Sequence, residues 1–417
     1  MKVLSVYYRG AIDGNPILVG KLAFHDRVAQ FAYEPDFLTL GLELSPFALQ
    51  PHVQLQQAKP TPFNGLHGLF ADSLPDGWGM FLMDKTFVQN GISDEIINPI
   101  YRLAFIGDRA MGALSYAPDE GVKYQTNSTA LLDISALANE SVQLYTGEVE
   151  NVLNELSIDG TPSGGARPKI LLGVNGEQSI SGASDLPEGY EHWLVKFPTG
   201  TSAEKKSEGA IEFVYSNLAK TSGIDFTATK LVAGKNDNAY FMTKRFDRTK
   251  GNGRVHIHTL AGLLYTDFRV ADCEYETLFK LCYSLTKSHE EVAQLFKRML
   301  FNIIAGNRDD HTKNFSFMMS GSGEWKNTPA YDLTFNKGIN GWHSLGINGQ
   351  GRDITFDCLR PLIKIASLKK TAVIQMIDEV CDSLICWEYD ARQFNIPNTQ
   401  ILEIKKHINK QIKLISY

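Results

Sequence analysis

The chain has 417 residues, a formal net charge of −6 at pH 7 and five cysteines. Its length exceeds what one hydrophobic core usually organises, which predicts two or three lobes. The acidic balance argues against a broad basic face that would hold nucleic acid through its phosphates. The cysteines lack CxxC or Cys/His ligand spacing, so the sequence supports neither a disulfide framework nor a structural zinc site and favours a reducing compartment.

The sequence shows no segment of the kind that enters a membrane. No stretch approaches the roughly 20 consecutive apolar residues of a spanning helix. The first residues also lack the apolar segment of a signal peptide. These patterns predict a cytoplasmic protein without a membrane partner.

The first part of the chain has a β-rich pattern. Short alternations of apolar and polar residues, such as Val3–Tyr8, predict a small antiparallel sheet within roughly the first 50 residues. A Pro-Asp-Gly turn at residues 75–77 then precedes a helical run to Asn90. The polar and acidic residues 117–150 predict a connection that carries one helix.

A glycine-rich stretch at residues 160–168 precedes a strand predicted to begin near Lys169. Glycine lets backbone N–H groups approach a phosphate, and a following strand fixes such a loop in space. The stretch matches neither GxxxxGK[ST] nor GxGxxG, so these residues alone also fit a flexible hairpin.

A short apolar strand that contains Lys196 is followed by a helix predicted over Glu208–Thr221. Glu212 lies beside the apolar stripe of this helix, so it can turn inward and pair with Lys196. In kinases a strand lysine and a helix glutamate form such a pair and align the phosphates of ATP. A lysine at a strand end is also commonly just solvated. The next strand, within residues 240–248, lies where a two-lobed kinase has the hinge that bonds adenine.

A polar window follows a long predicted helix. Asp309 is followed five positions later by Asn314, and Asp332 comes after a short variable run. In phosphoryl transfer an aspartate takes the proton of the attacking hydroxyl, and Asn and Asp hold magnesium. Because Asp and Asn also cap helices and close turns, the window gains weight from the order of the preceding signals. The spacing selects Asp309 as the base and assigns no role to Asp310.

These signals together predict an α+β, two-lobed protein-kinase-like fold. We expect a β-rich N-terminal subdomain at residues 1–125 and a kinase small lobe with the glycine-rich loop and hinge at 126–248. A mostly helical large lobe with the catalytic loop is expected at residues 249–417, because the later segments have helical periodicity.

Several short segments also match a known family. They are Leu74-Pro75-Asp76, Ile106-Gly107-Asp108, residues 164–169, Lys196-Phe197-Pro198, Arg245-Phe246-Asp247-Arg248, residues 309–315 and Thr328-Pro329-Ala330-Tyr331-Asp332. In these segments the chain resembles the HipA toxin kinases, which are serine/threonine kinases of bacterial toxin–antitoxin modules. The resemblance spans nearly the whole chain.

The resemblance implies ATP and magnesium as cofactors. It implies that Asp309 is the catalytic base, that Asn314 and Asp332 bind magnesium, and that His311 and Lys313 support the catalytic loop. The residues expected to contact ATP are Ser163, Gly164, Gly165, Ala166, Arg167, Lys169, Lys196, Glu212, Lys244, Phe246 and Asp247, with Lys244 and Phe246 meeting adenine through backbone atoms.

The resemblance also implies partners and a means of self-inactivation. The partners are a DNA-binding antitoxin of the same operon, through which DNA is contacted indirectly, and a protein substrate such as an aminoacyl-tRNA synthetase or another translation protein. In the family a serine of the glycine-rich loop is autophosphorylated, which ejects the loop. Counted back from Lys169 its familiar position falls on Pro162, so Ser163 is the first candidate and Thr161 the second. A phosphate there would add roughly −1.5 to −2 charges beside the ATP phosphates.

Two other functions are consistent with the same residues. A small-molecule phosphotransferase shares the chemistry and differs in its acceptor. A non-catalytic repressor subunit that depends on the antitoxin would keep the fold without using ATP.

Overall fold

The structure is a computed structural model that describes residues 2–11, 14–121, 129–235 and 238–416. Its strands in these ranges are β1 (Val3–Tyr8), β2 (Ile17–His25), β3 (Val28–Tyr33), β4 (Gln56–Gln57), β5 (Leu114–Ala117), β6 (Lys169–Asn175), β7 (Gln178–Ser181), β8 (Glu191–Lys196), β9 (Thr229–Ala233), β10 (Ala239–Lys244), β11 (His256–Thr259), β12 (Ser316–Met319) and β13 (Trp325–Asn327).

The α-helices in the described ranges are α1 (Pro35–Leu38), α2 (Gly68–Ala71), α3 (Gly77–Gln89), α4 (Pro99–Ile106), α5 (Ile134–Thr146), α6 (Asn154–Asp159), α7 (Ala203–Lys206), α8 (Glu208–Thr221), α9 (Leu260–Leu264), α10 (Tyr275–Thr286), α11 (His289–Ala305), α12 (Phe356–Ile365), α13 (Lys370–Ile385), α14 (Trp387–Ala391) and α15 (Asn398–Ile415). Short 3₁₀ turns lie at Asp94–Ile96, Lys250–Asn252, Thr312–Asn314 and Ile339–Gly341.

The N-terminal sheet is antiparallel, with the strand order β4-β3-β2-β1-β5. Alternation along β1 buries Leu4, Val6 and Tyr8, because successive side chains of a strand point to opposite faces. The predicted small antiparallel sheet is therefore present. Helix α3 contributes to two hydrophobic cores, because Met83 joins the core under this sheet while Trp78 packs in the core under the next.

A second antiparallel sheet has the order β7-β6-β8-β10-β9. Helix α8 packs closely on β10, where a Cβ on Gly209 would come within 2.5 Å of the Ala239 carbonyl oxygen. The register places Lys196 of β8 opposite Lys169 of β6 and opposite Phe241 of β10. Directly opposite residues share one face of a sheet, so the two lysines emerge side by side.

The large lobe is built around α11, against which α10, α13 and α15 pack. It also contains an antiparallel sheet of order β11-β12-β13 that the sequence did not predict. Its strands are three or four residues long, and the His-Ile-His-Thr of β11 lacks a clear apolar alternation. This small sheet flanks the polar window, because the Thr312–Asn314 turn leads directly into β12.

The molecule has the predicted α+β architecture, with a β-rich N-terminal part, a small lobe and a mostly helical large lobe. The predicted boundary at residue 125 lies outside the described residues, and the exact lobe limits stay predictions. Across the described ranges, no helix combines the length and the apolar character needed to cross a bilayer.

Candidate active site

A cleft of about 740 Å³ lies between the second sheet and the helical lobe. Residues from the N-terminal part, the small lobe and the large lobe line it, all between Asp72 and Ser344. Its lining includes Asp76, Gly164, Gly165, Ala166, Lys169, Lys196, Glu212, Phe246, Asp309, His311, Lys313, Asn314 and Asp332. The fold thus brings most of the predicted site residues into one cavity.

Lys196 is held between two carboxylates at the bottom of the cleft. Its Nζ lies 2.5 Å from Oε1 of the fully buried Glu212 and also contacts Asp332. Burial lowers the pKa of Lys196, but the charges of Asp332 and Glu212 outweigh burial and raise it overall. The other oxygen of Glu212 accepts a hydrogen bond of 2.9 Å from Arg167 Nη1. Glu212 therefore faces inward and orients two cations.

Asp332 combines an unusual backbone with a strongly stabilised charge. Its φ of 57° lies in the left-handed region, which few residues other than glycine adopt. Burial raises the pKa of its carboxyl, but Lys196 and Lys169 together hold that pKa well below its usual range. The carboxylate is therefore ionised, and its side chain keeps 33% of its surface exposed to the cleft.

The polar window is fixed by the buried Arg298 of α11. Its Nη2 donates to the carbonyl oxygens of Asn314, at 2.6 Å, and Tyr331, at 3.2 Å. The Tyr331 hydroxyl in turn donates to the Lys313 carbonyl at 2.7 Å. These bonds hold the window and the segment before Asp332 in one arrangement.

Asp309 presents a half-exposed carboxylate to the cleft, with 49% of its side-chain surface accessible. The carboxylate accepts no hydrogen bond from the described residues, and its Oδ1 lies 3.9 Å from His311 Nε2. Partial burial raises the pKa of Asp309, and Asp332 adds to this effect while His311 opposes it. Asn314 Nδ2 donates to the Asp309 carbonyl at 2.6 Å, which leaves the Asn314 amide oxygen for another partner.

Asp310 turns the opposite way and is buried. It accepts hydrogen bonds from the Tyr275 hydroxyl at 2.7 Å and the Ser344 N–H at 2.8 Å, and it lies 2.9 Å from His343 Nδ1. Burial raises its pKa, but His343 and these hydrogen bonds lower it overall. The two adjacent acids therefore have separate roles: Asp309 faces the cleft and Asp310 anchors the loop from behind.

The glycine-rich loop presents its glycines to the cleft and hides its hydroxyls. Gly164 and Gly165 line the cavity, whereas Ser163 and Thr161 are fully buried. The Ser163 hydroxyl donates to the Gly160 carbonyl at 2.9 Å. In this arrangement neither autophosphorylation candidate is accessible.

Lys169 supports the loop from the adjacent strand. Its Nζ donates to the Gly164 carbonyl at 2.5 Å. Burial and the neighbouring charge of Lys196 lower the pKa of Lys169 to about 8. Its charge state therefore changes with pH around this value.

The hinge residues differ in what they leave free for a ligand. The Lys244 N–H donates to the Ala228 carbonyl at 2.9 Å, and the Lys244 carbonyl accepts the Thr227 hydroxyl at 2.9 Å. Among the described residues, the backbone polar groups of Phe246 have no partner. Of the two residues predicted to meet adenine, Phe246 is therefore the one whose backbone is open to a ligand.

Asp247 is buried at the edge of the cleft that it helps to line, and its carboxylate is engaged by other residues of the protein. It forms ion pairs with Arg245 at 2.6 Å and Arg248 at 2.7 Å, and it accepts the Gly112 N–H at 2.8 Å. Burial raises its pKa, but the two arginines outweigh burial and lower it. Asp247 therefore ties the segment of residues 245–248 to the N-terminal subdomain, and its expected contact with ATP stays a prediction.

Two acids of the N-terminal subdomain reach the site without having been predicted. Asp72 lies 2.6 Å from His258 Nδ1 and accepts the Thr259 N–H at 2.7 Å. Asp76 accepts the Gly165 N–H and lies 2.7 Å from Lys313 Nζ. The sequence offered only a weak signal, two acids on either side of a Leu-Pro turn.

Together the fold and the cleft define a two-lobed, kinase-like protein. A model of the HipA N-terminal domain matches residues 11–117, and a model of the HipA-like C-terminal domain matches residues 161–387. The chain belongs to the HipA family.

Individual relatives agree with this assignment. The serine/threonine-protein kinase toxin HipA of Shewanella oneidensis is 25% identical over 341 residues, which are 76% of this chain and 72% of that protein. Toxin YjjJ of Escherichia coli is 24% identical over 285 residues, which are 65% of this chain and 60% of the toxin. A chain in the solved Shewanella oneidensis complex of HipA, HipB and operator DNA matches this structure with a TM-score of 0.68 at 18% sequence identity. The match covers 98% of this chain and 96% of the chain in the complex. The structural match supports the fold alone.

Proposed function

We propose that the chain is an ATP- and Mg²⁺-dependent serine/threonine protein kinase of a bacterial toxin–antitoxin module. One observation carries the proposal: the Lys196–Glu212 pair, Asp332, Asn314 and the half-exposed Asp309 share one cleft beside a glycine-rich loop. Positioning and charge stabilisation supply most of the catalysis in phosphoryl transfer, and these residues provide both.

The polar groups present fit an Mg²⁺–ATP complex. Carboxylate and amide oxygens are ligands that Mg²⁺ accepts, and Asp332 and the free amide oxygen of Asn314 are the candidates. When bound, Mg²⁺ neutralises charge on the phosphates and orients them. Lys196, Lys169 and Gly164 line the same space, and the two lysines and the Gly164 N–H would hold phosphate oxygens. The Gly165 N–H already donates to Asp76.

Asp309 would act on the acceptor. The oxygen of a serine or threonine hydroxyl attacks the terminal phosphorus, the bond to the ADP oxygen breaks, and the hydroxyl proton passes to the Asp309 carboxylate. The half-exposed position gives a protein side chain access, and the absence of competing hydrogen bonds from the described residues leaves both oxygens available.

The partners of the module are part of the proposal. A relative of this chain was solved in a complex with HipB and operator DNA, which supports a DNA-binding antitoxin that links this chain to DNA indirectly. The proposed substrate is a cytoplasmic translation protein such as an aminoacyl-tRNA synthetase. Self-phosphorylation is assigned first to Ser163 and second to Thr161, and it requires the glycine-rich loop to leave its buried position.

The test uses purified protein, γ-labelled ATP, Mg²⁺ and a lysate of the host as a source of acceptors. We expect label on the chain itself or on a protein, and none with Asp309→Asn. Transfer by the Asp309→Asn protein at the wild-type rate would contradict the assignment of the base. Label on a metabolite and on no protein would instead indicate the small-molecule phosphotransferase, and failure to bind Mg²⁺–ATP would indicate the non-catalytic repressor.

A further inference from the structure

Asp76 occupies the N-cap position of α3 but does not cap its own helix. An aspartate at this position normally accepts an N–H of the first helical turn. Asp133 behaves in this way at α5, where it accepts the N–H groups of Ser135 and Ala136. The carboxylate of Asp76 instead reaches into the cleft, so its conformation serves contacts outside its own helix.

Those contacts join two loops that are remote in sequence. One oxygen accepts the N–H of Gly165, which is 89 residues away, and the other lies 2.7 Å from Nζ of Lys313, which is 237 residues away. Burial raises the pKa of Asp76, but the charge of Lys313 and the Gly165 N–H outweigh it and lower that pKa. The carboxylate is therefore a charged bridge from the glycine-rich loop to the catalytic loop.

Gly77 and Trp78, which follow Asp76, make further contacts with the glycine-rich loop. The Trp78 N–H donates to the Gly165 carbonyl at 2.9 Å, so α3 holds this glycine by both of its backbone polar groups. Gly77 permits the close approach, because a Cβ there would come within 2.7 Å of the Gly165 carbonyl oxygen. The N-terminal subdomain thus touches the loop through backbone as well as side chain.

We propose that Asp76 is a positioning residue through which the N-terminal subdomain fixes the distance between the glycine-rich loop and the catalytic loop. This role rests on the proposed kinase function, because its expected consequence is a change in nucleotide affinity. With the bridge intact, Gly164 and Gly165 stay in place over the phosphate site. Without it, the loop keeps the Lys169–Gly164 bond but loses its link to Lys313.

The experiment compares wild type with Asp76→Asn, which keeps the shape and removes the charge. Affinity for a non-hydrolysable ATP analogue with Mg²⁺ is measured by calorimetry, and backbone hydrogen exchange of residues 160–168 is followed by mass spectrometry. Asp84→Asn is the matched control, because Asp84 lies on the same helix and forms an ion pair of 2.6 Å with Arg102 outside the cleft.

We expect Asp76→Asn to weaken analogue binding about tenfold, as for the loss of one charge-assisted hydrogen bond, and to speed exchange at residues 160–168. The KM for ATP should rise more than kcat falls, whereas a partly unfolded protein would lose kcat alone. In a Lys313→Met background the same substitution should change affinity less than twofold, because its charged partner is already absent. Asp84→Asn should behave as wild type in each measurement.

Unchanged affinity and exchange in Asp76→Asn would overturn the proposal. Tighter binding would overturn it too, because it would mean that the carboxylate competes with phosphate for the Gly165 N–H. Failure of the proposed kinase function is a separate outcome, since it would appear as a wild-type protein that neither binds the analogue nor transfers phosphate. The exchange comparison still decides in that case whether Asp76 holds the loop.

Discussion

Asp309 and Asp310 are neighbours in the chain, and the structure predicts opposite consequences for their removal. Asp310→Ala leaves the Tyr275 hydroxyl, the His343 ring and the Ser344 N–H without their acceptor in a buried site. A buried polar group left unpaired costs about 1–3 kcal/mol, and three groups lose their acceptor here. We therefore expect Asp310→Ala to lower the free energy of unfolding by about 3–5 kcal/mol.

Asp309→Asn should lower the rate of phosphate transfer and leave the free energy of unfolding nearly unchanged. The Asp309 side chain is half-exposed and accepts no hydrogen bond from the described residues, so its replacement should change stability by less than about 0.5 kcal/mol. Loss of a general base lowers the rate by about 100- to 10,000-fold. The bond from Asn314 goes to the Asp309 backbone and survives the substitution.

The assay measures thermal unfolding and phosphate transfer for both variants. A loss of about 3 kcal/mol corresponds to a fall in Tm of roughly 6 °C or more for a cooperative unit of 150–250 residues. Asp310→Asn is the matched control, because it keeps the shape and one acceptor oxygen and should lose less stability than Asp310→Ala. A wild-type Tm for Asp310→Ala together with lost activity would refute the separation of roles.

The pH dependence of protein stability gives an independent check on the role of Asp310. In the folded protein its pKa lies below the ordinary value, so its stabilising effect is complete above about pH 4 and is lost as pH falls through the folded pKa. The difference in Tm between wild type and Asp310→Ala should therefore be full at neutral pH and shrink in acid. A difference that grows in acid would contradict this reasoning.

Three further predictions follow from the geometry. Because the pKa of Lys169 is about 8, affinity for the Mg²⁺–ATP analogue should fall as pH rises through that value, and Lys169→Arg should remove this dependence in a calorimetric titration. Asp332→Ala should abolish Mg²⁺-dependent transfer while leaving most of the secondary structure intact by circular dichroism, and unchanged turnover would exclude the metal role. Phosphate mapped by mass spectrometry should disappear in Ser163→Ala and persist in Thr161→Val, and the reverse pattern would move the site to Thr161.

The order of motifs along the chain predicted the cleft, because each motif sits on an element that its local sequence specifies. The inward turn of Glu212 follows from helix α8, whose apolar stripe packs inward and carries Glu212 with it. Lys196 is the last residue of the apolar strand β8 and pairs with Phe241 of β10, so its position follows from the strand that the sequence predicts. Local pattern and tertiary packing agree at these residues, so sequence reasoning succeeds there.

Sequence reasoning left roles open where the partners of a side chain lie far away in the chain. Asp247 lies in a polar hinge segment, and nothing local distinguishes a ligand contact from its ion pairs with Arg245 and Arg248. The partners of Asp310 lie 33 to 35 residues away on other elements. Asp76 meets Lys313 across 237 residues. Such contacts depend on how lobes pack, which periodicity does not encode.

The partners of Lys196 indicate how the cleft would accept the proposed nucleotide while each buried charge keeps a partner. Glu212 is fully buried and already pairs with Arg167, so releasing it would leave a buried charge with one partner fewer. Asp332 is one-third exposed at the cleft and can give up Lys196 when another group takes its carboxylate. Lys196 would then keep Glu212 as its fixed partner and turn its free hydrogens toward a phosphate oxygen. The buried Lys196–Glu212 pair thus fixes the direction of the lysine side chain, whereas the more exposed Lys196–Asp332 pair can be exchanged for a ligand.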